Sequence, residues 1–206
     1  MNNVTKKFFS VAVAVMLVAS LAPSANALSL NDENDSAKRI YNDAKKAYTN
    51  AVSTYKSARE DYLTAKLKYQ ERQNATNLDV AVEKGRTFLL NADKAALEYV
   101  ELLQAKVQEM KGIDDATRTT ITGELQTQID WLINEQAVIQ GAAGREALVA
   151  EAKTVSDYWD TIRISTKKQT GQILAGRVNY VLDSLSALND DVQAKIAVVK
   201  EDGQDT

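Results

Sequence analysis

Tyrosine recurs at every seventh position along one stretch of the chain, and alanine stands three residues after each of the first four tyrosines. A seven-residue repeat of apolar pairs is typical of a helix that lies along another helix. Alanine lets a neighbouring backbone come close, and tyrosine adds a large flat surface with a hydroxyl at its rim. We call this pattern the Tyr/Ala seam, which consists of Tyr41, Ala44, Tyr48, Ala51, Tyr55, Ala58, Tyr62, Ala65 and Tyr69.

The pattern predicts an all-α protein, an elongated antiparallel helical bundle of coiled-coil hairpins with four to five long helices. No proline occurs beyond Pro23, so long uninterrupted helices are permitted. We expect one helical-bundle domain over residues 28–206, with helices at about 36–74, 77–111, 115–140 and 145–188 and an optional short helix at 190–200. Gly171 and the triplet Asn189-Asp190-Asp191 leave open whether 145–200 is one helix or two.

The second predicted helix has an unusually broad apolar face. One line of residues at heptad spacing runs from Val82 through Leu89 and Ala96, and Phe88 and Ala95 lie beside it. Such a face can contact two neighbouring helices at once. The connection to the first helix is only a few residues long, so the two helices are expected to be antiparallel neighbours.

Local signals place the ends of the helices. Thr76 followed by Asp79 resembles a capping box and predicts the start of the second helix. Gly112 is expected to end that helix, because glycine favours the left-handed conformation after a last helical turn. Asp114 is expected to cap the third helix.

The first 27 residues have the composition of a secretory signal peptide. Lys6 and Lys7 precede an apolar run over residues 8–21, and Ala25-Asn26-Ala27 fits the small-x-small cleavage rule. We expect cleavage after Ala27 and an extracellular or periplasmic location, with an uncleaved anchor as the alternative. No second apolar run of spanning length follows, so no transmembrane segment is expected in the mature chain.

The residue types that the sequence lacks exclude several kinds of chemistry. The chain has no Cys and no His, so Ser-His and Cys-His nucleophile systems and His-containing metal sites are ruled out. No pair of carboxylates stands out as a glycosidase pair, and no glycine-rich loop fits a phosphate site. We therefore expect a protein that is not an enzyme, with no catalytic residues, no cofactor and no metal.

The charge of the chain bears on its partners. The formal net charge is −3, and loss of Lys6 and Lys7 with the signal would bring it to −5. A mildly acidic chain without a basic block argues against nucleic acid as a partner and against electrostatic adhesion to anionic lipid.

These observations favour an exported structural or protein-interaction module that acts through coiled-coil contacts, with another protein or a second copy of itself as partner. The Tyr/Ala seam is the candidate interaction site, although tyrosines at this spacing are also typical of a core. One alternative function is a membrane-active helical bundle of the pore-forming type. Another is a small-ligand or glycan binder that uses Tyr, Trp131 and Trp159; tryptophan in a helical stripe is more typical of a core.

Overall fold

The computed structural model describes residues 32–202, and it describes side-chain surroundings over residues 36–198. Within this part of the chain there are four α-helices and no strand, which confirms the predicted all-α class. The helices are α1 (Asp32–Glu71), α2 (Ala75–Glu109), α3 (Asp115–Gly141) and α4 (Gly144–Asp202). The predicted signal peptide, residues 1–27, lies outside the described residues.

Helix α2 occupies the centre because it is apolar on two faces, as the sequence predicted. One face packs on α1, where Phe88, Ala92 and Ala95 meet residues of the Tyr/Ala seam. We call this packing the α1–α2 core. The other face packs on α3 and α4, where Ala96, Val100 and Val107 contribute to a larger cluster that we call the main core. Burial of each face stabilises the fold by roughly 25 cal/mol for every Å² of apolar surface that is removed from water.

The α1–α2 turn is held by asparagine side chains. Asn74 has an extended backbone and its side chain accepts a hydrogen bond from the backbone N–H of Asn77 at 2.8 Å. The Asn77 amide donates in turn to the carbonyl oxygen of Arg72 at 2.9 Å. The predicted cap at Thr76 is therefore wrong, because asparagine is an equally good cap two residues earlier and α2 begins at Ala75.

The α2–α3 turn follows the prediction more closely. Gly112 adopts a φ of 86°, in the left-handed region that favours glycine, although α2 itself ends three residues earlier, at Glu109. Asp114 caps α3 by accepting hydrogen bonds from the backbone N–H of Thr117 at 2.8 Å and from its hydroxyl at 2.7 Å. These bonds hold the pKa of the Asp114 carboxyl below its ordinary value.

Two arginines satisfy the last carbonyl groups of neighbouring helices. Arg118 of α3 donates to the carbonyl oxygens of Val107 and Met110 at the end of α2, the second at 2.7 Å. Arg86 of α2 donates to the carbonyl oxygen of Ala142 at the end of α3, at 2.6 Å. Carbonyl groups at a helix C-terminus lack partners within the helix and carry partial negative charge, so a guanidinium there is favourable.

Helix α4 is continuous over 59 residues, a length of about 88 Å at 1.5 Å per residue. Of the two alternatives that the sequence left open for residues 145–200, one long helix is formed; the optional short helix at 190–200 is not separate, and Asn189, Asp190 and Asp191 lie inside α4. The physical reason is that asparagine and aspartate cost a helix less than about 1 kcal/mol each, which is too little to break it without a proline or a competing contact.

Gly176 is the place where α4 touches the α2–α3 turn. A Cβ atom added to Gly176 would lie 2.6 Å from Cγ1 of Ile113 and 3.0 Å from the carbonyl oxygen of Gly112. Two backbones therefore approach here at a distance that no larger residue permits. From residue 178 to residue 198 every side chain of α4 is exposed.

Replacing Gly176 with alanine should destabilise the fold, because the added methyl group has no room. We expect a loss of about 1–3 kcal/mol in the free energy of unfolding, from overpacking. The matched control is Gly171→Ala in the same helix, where an added Cβ meets no atom within 4 Å. That variant should gain about 1 kcal/mol from helix propensity. Urea unfolding followed by circular dichroism measures both, and equal effects of the two variants would contradict the close contact.

Candidate functional site

The middle of the Tyr/Ala seam faces α2. Ala51, Tyr55 and Ala58 are buried in the α1–α2 core. The rings of Tyr55 and Tyr62 lie 5.5 Å and 5.6 Å from the ring of Phe88, and Tyr62 is stacked parallel to it. Burial raises the pKa of both tyrosines. Most of the seam's apolar surface is therefore used within the chain.

The remaining seam residues continue the same contact with decreasing burial towards the ends. Tyr48 and Ala65 are buried, whereas Tyr41, Ala44 and Tyr69 are half-buried. The Lys106 ammonium of α2 lies 4.5 Å from the ring centroid of Tyr41, a cation–π contact. Small residues on both sides, such as Ala58 of α1 and Ala92 of α2, are what let the two helices lie close together.

Tyr99 of α2 connects the two cores. Its ring lies 5.6 Å from the ring of Tyr48 of α1. Its hydroxyl interacts with Thr166 and Thr170 of α4. The pKa of Tyr99 is raised to about 12, mostly by burial and in part by the nearby Tyr48, against the opposite effect of the threonine hydroxyls. One phenol of α2 thereby contacts both α1 and α4.

The two tryptophans lie at the edge of the main core. Trp159 is buried, and Trp131 is half-buried and packs against the cluster. The ring of Trp131 stacks on Tyr158 with 3.7 Å between centroids and 21° between planes. One face of Trp131 is therefore used to join α3 to α4.

The polar stretch at residues 165–171 lies against α3, with Thr166 and Gln169 buried and Lys167, Lys168 and Gly171 exposed. The Ser165 hydroxyl accepts hydrogen bonds from the amides of Gln128 and Gln169, at 2.8 Å and 3.1 Å. Glu124 accepts from Gln169 at 3.2 Å and from Lys168 at 3.0 Å, and these bonds lower its pKa. We call these five residues the polar layer. Buried amides favour one register of α3 along α4, because any other register leaves them without partners.

A second polar group contains carboxyl groups from three helices. Asp93 of α2 is fully buried, and burial raises its pKa to about 7, with the Gln136 amide lowering it and Glu135 raising it. Burial also raises the pKa of Glu135, as does the nearby Glu151. Among residues 32–202 no group of His, Cys, Asp or Glu is arranged to hold a metal ion. Burial thus favours the protonated form of both Asp93 and Glu135.

The sequence contains a signal for the burial of Asp93, although Asp93 is not part of an apolar stripe. Asp93 stands seven residues before Val100 and fourteen before Val107, and both valines are fully buried. A heptad line that includes one aspartate predicts a buried carboxyl group.

The second half of α4 carries exposed apolar side chains. We call them the α4 stripe: Leu174, Val178, Val181, Leu182, Leu185, Leu188 and Val192. Their exposed fractions range from 46% to 59%. From Val181 onwards the stripe lies beyond the contact of α4 with the α2–α3 turn, where Gly176 and Tyr180 both approach Gly112. None of the described helices is both long and apolar enough to span a bilayer.

Replacing Ala58 with lysine should open the α1–α2 hairpin. An unpaired charge in the α1–α2 core is expected to lower the free energy of unfolding by about 2–4 kcal/mol. Ser57→Lys is the matched control, because Ser57 is exposed and the change should stay within about 0.5 kcal/mol. Thermal melting distinguishes the two, and an Ala58→Lys variant that melts with the parent would contradict burial of the seam.

Stability should decrease as the pH rises from about 4 to 7, because folding raises the pKa of Asp93 above its value of 3.8 in the unfolded chain. The folded state then binds more protons than the unfolded state in this window, and up to about 4 kcal/mol is lost above it. Asp93→Asn should raise the urea midpoint at pH 8, and it should make the free energy of unfolding depend less steeply on pH. Asp79→Asn, at an exposed position of the same helix, should change neither the urea midpoint nor the pH dependence. If Asp93→Asn leaves the pH dependence of stability unaltered, Asp93 is not its cause.

Comparison with known proteins adds no relative to this description. A scan against protein-family models gave no match. Searches of curated proteins and of solved structures gave no significant match either.

Proposed function

We propose that the chain is an exported structural or protein-interaction module of the cell envelope or exterior, which works through helical coiled-coil contacts and not through catalysis. The observation that carries the proposal is the α4 stripe. Its apolar side chains recur at coiled-coil spacing on a helix that extends past its own bundle. Exposed apolar surface of this extent is typical of an interaction site.

The dimensions of the helices support an elongated, spacer-like shape. Helix α1 has 40 residues and α4 has 59, about 60 Å and 88 Å respectively. Helices α1 and α2 pair along their length as an antiparallel hairpin, and α4 continues past the α2–α3 turn. We propose that the bundle anchors α4 and that its free end makes the contact.

The polar side chains of the interior support a role without catalysis. Asp93, whose pKa of about 7 would suit a general base, is fully buried between helices. Glu124 is paired with Lys168, and its remaining contact is the Gln169 amide. The Glu124 carboxylate therefore has structural partners, and Asp93 is enclosed by the packed helices, away from any substrate at the surface.

Export is tested by separating the producing cells into fractions. The proposal expects the protein outside the cytoplasm, with Leu28 as its first residue by N-terminal sequencing. Alanine at position 27 replaced by a bulky residue, as in Ala27→Phe, should block processing, because the cleavage rule requires a small side chain there. Cytoplasmic protein that retains residues 1–27 would contradict export.

Contact through α4 is tested by photo-crosslinking in intact cells. A benzophenone amino acid at position 185, on the α4 stripe, should give discrete protein adducts. The same probe at position 186, the neighbouring residue on the polar face, is the control and should give far fewer. Equal adduct yields at both positions, or none at either, would overturn the proposed interaction.

A further inference from the structure

The α4 stripe follows a coiled-coil register. Val178, Leu185 and Val192 occupy the first position of successive heptads, called a, and Leu174, Val181 and Leu188 occupy the fourth, called d. Leu182 lies beside them at position e. The next d position holds Lys195, and the a position before Val178 holds Gly171, both of which are exposed. The stripe thus has the pattern of one strand of a coiled coil.

The charges around the α4 stripe disfavour a lipid surface as its occupant. Residues 177–202 contain three cations and five anions: Arg177, Lys195 and Lys200 against Asp183, Asp190, Asp191, Glu201 and Asp202. A helix that binds an anionic membrane surface needs lysine or arginine along its polar face. Here the polar face carries Asp183 and Asp190, so the apolar side is better matched by another helix.

We propose that the α4 stripe binds the α4 stripe of a second copy of the chain, with the two helices antiparallel. This inference rests on the proposed function and identifies the partner. With the two-fold axis at residue 183, every a residue faces a d residue of the second copy. Val178 then faces Leu188, Val181 faces Leu185, and Leu174 faces Val192, which gives six apolar layers. Leu182 lies beside Leu182 of the second copy at the axis.

Charge complementarity selects the antiparallel arrangement. In this register Arg177 lies within about one helical turn of Asp191 of the second copy, and symmetry makes this pair twice. Lys195 faces Gly171 of the second copy, where an added side chain meets no other atom of its own chain within 4 Å. A parallel pair in register would instead place Lys195 against Lys195 inside the seam, where like charges repel.

The extent of the contact is sufficient for a weak, specific dimer. Fourteen large side chains, seven from each copy, would leave water on association, and each is now 46% to 59% exposed. We expect a total buried area of about 1,000 Å², the lower bound of specific interfaces, and a dissociation constant in the micromolar range. The monomer–dimer equilibrium should therefore be measurable in a concentration series.

Light scattering on the purified protein tests the association. The mass should rise from one chain to two as concentration increases through the micromolar range. Leu185→Glu should abolish the rise and leave the helical circular dichroism unchanged, because Leu185 is exposed in its own chain. Ser186→Glu adds the same charge on the polar face and should still form dimers. A monomer at all concentrations, or a dimer that Leu185→Glu leaves intact, would overturn the inference.

Single cysteines determine the direction of the two helices, since the chain has no cysteine of its own. With a short bis-maleimide reagent, Leu182→Cys should crosslink two copies. Lys195→Cys should not crosslink, because residue 195 of one copy and residue 195 of the second copy would be separated by the length of 24 helical residues, about 36 Å. Crosslinking at both positions would indicate a parallel pair. Crosslinking at neither position would indicate that the two stripes do not pair. Either result overturns the proposal.

Charge exchange gives an independent readout of the register. Arg177→Asp should weaken the dimer about tenfold, and the double variant Arg177→Asp with Asp191→Arg should restore it. Failure of the inference and failure of the proposed function give different results. A protein that stays monomeric while the probe at position 185 captures a different protein overturns only the second-copy assignment. Equal capture at positions 185 and 186 overturns the proposed function.

Discussion

The fold depends on the two apolar faces of α2. One face buries Ala92 and Ala95 against α1, and the other buries Val100 and Val107 against α3 and α4. Without cysteine, no disulfide limits the unfolded chain, so burial of apolar surface has to provide the stability. A helix that shares its surface between two cores couples them, since a shift of α2 towards one side leaves a void on the other.

Polar residues inside the bundle decide how the helices align. The amide N–H groups of Gln128 and Gln169 in the polar layer reach their acceptors across the helix pair only where α3 and α4 stand in one register, whereas aliphatic side chains alone tolerate slippage. Asp93 instead lowers the stability of the folded state near neutral pH, because burial disfavours its charged form. Arg118 of α3 binds the C-terminal end of α2, and Arg86 of α2 binds the C-terminal end of α3. Alignment is thus specified by a few polar contacts in an apolar packing.

The sequence predicts the features that depend on local periodicity and misses those that depend on neighbours. Heptads gave the pairing of α1 with α2, and Asp114 gave the start of α3, because both signals lie within a few residues. The cap at Asn74 was missed because Asn74 and Thr76, two residues apart, could each serve as a cap. The continuity of α4 through Asp190 depends on small propensity differences. The burial of Asp93 is encoded by the heptad line that it shares with Val100 and Val107, whereas the exposure of Leu185 depends on where other helices stop, which no local pattern encodes.

The contact between Gly112 and Gly176 has a mechanical consequence. Gly112 also lies close to Tyr180, one turn further along α4. Beyond this contact, residues 181–202 form an arm of about 33 Å, and no described helix supports this arm from the side. A rotation of about 10° at the contact would therefore move the tip by about 6 Å. The contact between the two glycines is therefore a pivot. A small adjustment of backbone packing in the α2–α3 turn changes the direction of α4, and the resulting displacement is largest at the far end of that helix.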